Sequence, residues 1–321
     1  MNFKINISFF VLSTILFCSC QKNIDIFVPD PGQTAGPDTS WTNNIVAGMP
    51  VSSLQNSLMV ETFKKDIEVG IHKDSSVTAN GLTCYFPAGN YLSSGNVVVT
   101  GKISSEVLLL RKKGDMIRMN KPTVSNNRLL VSNAAVFVRL KDTQNIALAP
   151  GTLLDLKIND AGTIANNIAF FSGEDLQNGG FNWSVNNDPT NNFIASSISP
   201  LQITTNKLRW TSAAYFFDTM NISRNILTLS LPSNYTNANT IVYVVFKDLR
   251  SVVALTADVA SKKFTSIKLP DGKAITVVAI SHQANDYYLG TMAITTGTST
   301  NISLVPTKSS LVNINTLLDS L

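Results

Sequence analysis

Histidine is almost absent from this chain of 321 residues: there are two, His72 and His282. A Ser-His-Asp triad needs a histidine base oriented by a carboxylate, and no G-x-S-x-G elbow stands beside either one. His72 ends a strand-like stretch before Lys73 and Asp74, and His282 lies in the turn-like "SHQANDYY". They read as two unrelated surface histidines. Cysteine is scarce too, with three in all, and the Cys/His clusters that hold zinc do not occur. Charged residues make up 14%. No long run of basic residues is present, which removes the usual footprint of nucleic-acid binding. Neither a phosphate loop nor a dinucleotide glycine pattern appears. The expectation is no catalytic residue, no metal site and no cofactor.

Calcium loops need oxygen ligands at set spacings. "KINDAG" (157–162) and "NNDPTNN" (186–192) hold oxygen donors without that spacing. Glycosidases need two carboxylates facing each other across a sugar, and the neighbours Glu174 and Asp175 do not face each other. A hydrolase whose carboxylates meet only in the fold stays open.

What is present suits short strands and polar turns. Asn, Ser and Thr are plentiful and many apolar positions are β-branched. Strand-like pieces fall at 66–72, 81–87, 96–103, 106–111, 128–133, 135–140 and 153–158. The second half continues with 225–232, where Leu227, Leu229 and Leu231 alternate with Thr228 and Ser230. "TIVYVVF" (240–246) and "AITVVAI" (274–280) are apolar on both faces, as central strands are. Pieces at 251–255, 263–270 and 287–295 complete the set, with "KDLR" as a tight hairpin connection. Leu54 and Leu58 suggest a turn or two of helix, and Leu311, Ile314, Leu318 and Leu321 a C-terminal amphipathic one. The expected fold is all-β: two β-sandwich domains in tandem, 51–165 and 166–321, with a short C-terminal helix on the second.

Cys84 sits in the strand-like "GLTCYFP" and reads as a buried thiol outside any disulfide. "RKKGDMIR" (111–118) is the densest basic cluster and reads as a solvated turn. Trp183, Trp210, Tyr215, Tyr287 and Tyr288 are the aromatics that would form a sugar-stacking platform. Aromatics in sandwiches more often fill cores.

The chain opens with one lysine and then an apolar run, 5–17, of the length of a signal-peptide core and too short to span a bilayer comfortably. Phe17-Cys18-Ser19-Cys20 follows. This resembles the lipobox of bacterial lipoproteins, with Phe17 where leucine is commoner. The resemblance implies removal of 1–19 and acylation of Cys20. Several acyl chains, at about 0.8 kcal/mol per buried methylene, hold a chain firmly at a membrane. Residues 20–50, rich in Pro, Gly, Asn and Asp, read as a flexible tether. Trp41 within it is either docked or loose.

"GLTCYFPAGNYLSSGNVVVTGK", with the "KGDMIR", "KPT" and "RLLVS" that follow, resembles a segment of uncharacterised surface lipoproteins of Bacteroidota. "FPAG" is also similar to the ZU5 domain, a β-sandwich of interaction proteins. "VVFKDLRSVVAL" and "LPDGKAITVVAISHQANDYYLG" resemble the C-terminal part of the same family. Some ZU5 proteins cut themselves at a His-Phe-Ser type site. The nearest string here, "FFSG" (170–173), has no histidine, so self-cleavage is not implied. The function expected is a non-enzymatic binding or scaffolding protein anchored in the outer membrane, possessing a membrane-lipid partner through Cys20. Its further partner is a protein or polysaccharide at the cell surface. A glycan-binding lipoprotein using Trp183, Trp210, Tyr287 and Tyr288 is the alternative.

Overall fold

The apolar runs without alternation lie in the middle of the molecule. The computed structural model describes residues 40–142, 145–159, 167–176, 179–194, 200–217 and 223–321, so Cys20 lies outside the described residues. Thr240–Phe246 is buried at every position. Its Ile241, Tyr243 and Val245 face one core, and Val242, Val244 and Phe246 face another. A strand with two buried faces has no polar side to show, which erases the alternation. Arg128–Lys141 behaves alike: Val136, Val138 and Leu140 face one core, Ala135 and Phe137 another.

Four main sheets follow, nearly all antiparallel. The first inner sheet runs Phe63–Val69, Gly101–Leu110, Arg128–Lys141, Arg209–Phe216, Ala169–Asp175 and Phe181–Val185. The first outer sheet runs Asn192–Ile194, Leu201–Thr205, Leu154–Ile158, Leu82–Phe86 and Ser75–Ala79. The second inner sheet runs Val252–Ala254, Thr240–Phe246, Ala274–Gln283, Asp286–Thr295 and Thr307–Ser309. The second outer sheet runs Thr256–Asp258, Lys263–Pro270, Arg224–Ser230 and Asn301–Ser303. Each outer sheet closes a core against its inner sheet, and the two inner sheets share a third core between them.

Helices complete that shared core. Pro50–Leu58 contributes Val51, Leu54 and Leu58; Lys113–Arg118 contributes Met116 and Ile117; Leu311–Ser320 contributes Ile314 and Leu318. Each large apolar side chain buried this way stabilises the fold by about 2 kcal/mol. The last helix starts at Ser310, whose hydroxyl accepts the Asn313 N–H at 3.1 Å.

Several expectations need correction. The boundary expected between 165 and 166 falls inside the first sandwich. Arg209–Phe216 pairs with Arg128–Lys141, and Leu201–Thr205 pairs with Leu154–Ile158, so the first sandwich extends to Phe216 and the second begins at Arg224. Strands separate in sequence close both sheets, a long-range pairing that local patterning does not report. The pieces at 128–133 and 135–140 form one strand, with a register shift opposite Ala213 and Ala214 that leaves Asn133 as the extra residue. The Asn133 carbonyl accepts from Arg250 there, and Ser251 donates to the Leu130 carbonyl at 2.6 Å. One long strand thereby ties the two sandwiches together. The C-terminal helix lies against Lys113–Arg118 of the first half as well as in the shared core. The tether ends before residue 50: Trp41 packs on Phe264 at 5.1 Å, and Thr42 and Asn237 exchange hydrogen bonds of 3.0 and 2.6 Å.

Candidate binding cleft

Strand register builds the floor of a cleft on the shared-core side of the first inner sheet. Lys64 pairs with Glu106, and Glu106 with Arg139, so three charged residues stand in a row across three strands. One step along the same face comes an apolar row: Leu108 opposite Phe137, Phe137 opposite Trp210, Trp210 opposite Gly173, Gly173 opposite Trp183. Gly173 has no side chain because the rings fill its place. A Cβ there would overlap Phe181, and would lie 2.7 Å from Trp210 and 2.9 Å from Trp183. The glycine of "FFSG" is thus a packing residue.

The cleft above this floor has a volume of about 860 Å³, within the ~300–1,000 Å³ of small-molecule sites. One wall is the end of the helix Pro50–Leu58 with residues Met59 to Thr62 that follow it. The other comes from Arg118, the last residue of the short helix, with Met119 and Lys121 just after it.

Most of the charges in this site are paired. Glu106, only 7% exposed, takes both Nε of Arg139 at 3.1 Å and its Nη2 on one oxygen, Oε2. Arg118 donates to Asp115 at 3.1 Å and to Asp319 at 2.9 Å. Lys121 meets Asp175 at 2.6 Å and stands 4.2 Å over the Phe181 ring and 5.5 Å over Trp210. Burial lowers the Lys121 pKa, and its hydrogen bond to Asp175 works in the opposite direction.

Of the four aromatics expected to bind sugar, only Trp210 lines this cleft. Trp183 and Trp210 are core residues, 2% and 5% exposed, and Trp183 spends its indole N–H on the Pro122 carbonyl at 3.0 Å. Tyr287 and Tyr288 belong to the second inner sheet and, as neighbours in Asp286–Thr295, point to opposite faces. Tyr287 stacks on His282 at 4.6 Å and Tyr288 meets Tyr235 edge-on at 5.7 Å. A shared platform of the four does not form, because packing demands spread them over separate layers. His282 is part of the strand Ala274–Gln283 and not of a turn, while His72 is exposed.

The basic cluster at 111–118 is also structural. Lys113 donates to the Phe246 carbonyl at 2.7 Å, Lys112 to that of Asp319 at 3.3 Å, and Arg118 to that of Asn315 at 2.9 Å. In 186–192 the oxygens are turned inward onto donors. Asp188 accepts from the Thr190 hydroxyl at 2.7 Å and from Asn206 at 2.9 Å, and Asn191 from Thr205 at 2.7 Å. Among the described residues no group of three or more His, Cys, Asp or Glu is placed to hold a metal.

Residue patterning missed Lys64, Glu106, Lys121 and Arg139. The one signal was a charge inside each apolar strand, "SSEVLLL" and "VFVRLK", and nothing local links the two. No family model, no curated protein and no solved structure matches this chain.

Proposed function

We propose that this is a non-enzymatic binding protein, tethered to the outer membrane through an acylated Cys20 and presenting its layered β-body outside the cell. The observation that carries the binding role is the cleft floored by Glu106, Arg139 and Phe137, a concave site in which ion pairs fix the polar groups in place. Arg139 offsets the charge of Glu106, an arrangement suited to holding a ligand rather than to transferring protons. The tether rests on the apolar opening run and Phe17-Cys18-Ser19-Cys20. Residues 21–40 then separate the lipid from Trp41, which is clipped to Phe264. Fully extended, such a segment spans at most ~70 Å, so the cleft would work close to the membrane. The resemblance to Bacteroidota surface lipoproteins read in the sequence, and that of "FPAG" to the ZU5 domain, would suit a display role.

Intact mass of the membrane-extracted chain, with and without Cys20→Ala, tests the tether. A lipid-sized increment lost in the variant is expected. A chain of unmodified mass starting elsewhere than Cys20 would overturn it.

A further inference from the structure

The cleft's charges cancel from within, and this bears on what it holds. Arg139 is matched by Glu106, Arg118 by Asp115 and Asp319, and Lys121 by Asp175, which Arg209 also approaches at 3.8 Å and so balances the second aspartate on Arg118. Of the remaining charged lining residues, Lys64 and Glu61 have opposite signs. Such a site has no net charge with which to attract an ion.

We propose that the cleft binds an uncharged, hydroxyl-rich ligand, a stretch of neutral polysaccharide. The proposal rests on the reading of the chain as a binding protein and names the ligand class. Nε and Nη2 of Arg139 both donate to Oε2 of Glu106. Among the described residues Oε1 of Glu106 and Nη1 of Arg139 have no partner, which leaves one acceptor and one donor on the pair at the floor. A hydroxyl group both donates and accepts, so sugar hydroxyls suit both of these groups. Gln55 and Asn56 at the rim add carboxamides whose hydrogen-bonding groups are not taken up by described residues. Phe137 and Met59 supply apolar surface for the C–H face of a sugar ring.

A peptide fits less well. Peptides dock along a free strand edge or insert a side chain into an apolar hole. Of the floor strands, Gly101–Leu110 and Arg128–Lys141 are paired on both edges and only Phe63–Val69, at the margin of the sheet, is paired on one; the space between the floor rings is already packed, with Phe137 and Trp210 at 5.0 Å.

The test is calorimetric titration of the purified full chain with short neutral glucan, mannan and xylan fragments. Uronate oligosaccharides and a mixture of unstructured peptides serve as the other probes. A neutral fragment is expected to bind. Arg139→Gln should weaken it about tenfold or more, since it removes a hydrogen bond from a charged group. Asn56→Ala, at an exposed helix position, should weaken it severalfold with the unfolding curve unchanged, which covers the case in which the Arg139 variant folds poorly. Binding of uronates or peptides alone, or of nothing in the panel, overturns the ligand class. Uronate or peptide binding would still leave the binding role standing. Cleavage of a bound fragment would do the reverse, supporting the ligand class and overturning the non-enzymatic role.

Discussion

Gly114 and Leu318 touch backbone to backbone: a Cβ on Gly114 would overlap the Leu318 carbonyl oxygen. This contact lets the short helix Lys113–Arg118 and the C-terminal helix approach closely enough for Arg118 to reach Asn315 and Asp319. Gly114→Ala must push the C-terminal helix away. The expected loss is about 3 kcal/mol, the upper range for overpacking, read from denaturant unfolding. An unchanged midpoint would mean that the helix is not held as described.

Glu106 and Arg139 separate stability from binding. Arg139→Leu alone leaves the Glu106 charge buried and unpaired, and should destabilise by about 3 kcal/mol. The double variant Glu106→Leu/Arg139→Leu removes both charges and should regain most of that loss. It should nevertheless lose ligand binding. A double variant as unstable as the single one would count against the buried pair.

Gly173→Ala places a methyl group among Trp183, Trp210 and Phe181. The expected cost is about 2 kcal/mol or more, together with a shift in tryptophan emission as the rings move apart. Wild-type emission and stability would rule out the packing around Gly173.

Asp188 is held to about 2, below its ordinary 3.8, first by the Thr190 hydroxyl and then by Asn206. A carboxyl with a lowered folded pKa contributes stability above its unfolded pKa and loses it as pH falls through the folded one. Stability should therefore decline between about pH 4 and pH 2. Asn206→Ala should flatten that decline, as measured by urea midpoints across the range. An identical decline in the variant would remove Asp188 as its source.

Cys84 is 0% exposed, and burial pushes its thiol up to about 12. At pH 8 the folded chain should resist thiol reagents, since the thiolate is the reactive form. Labelling of Cys84 should rise with denaturant in step with unfolding. Fast labelling of the native chain would contradict its burial.

Much of the core was legible in advance. Thr240–Phe246 reads as a doubly buried strand because both of its faces meet apolar layers, and Leu227 and Leu229 alternate because one face does not. The terminal helix is legible because Leu311, Ile314 and Leu318 recur at helical spacing on one face. The reach of the first sandwich was not legible. Arg209–Phe216 closes it by pairing with a strand that ends some 70 residues earlier at Lys141, a pairing to which no local period points.

The all-β class, most of the strands and the apolar surfaces they bury follow from the order of residues along the chain, because side-chain alternation is a local property of a strand. The layer order, the burial of Trp183 and Trp210, and the cleft come from long-range packing. Glu106 and Arg139 are 33 residues apart. They become a site because antiparallel register sets them opposite each other, and register is settled by the packing of whole sheets.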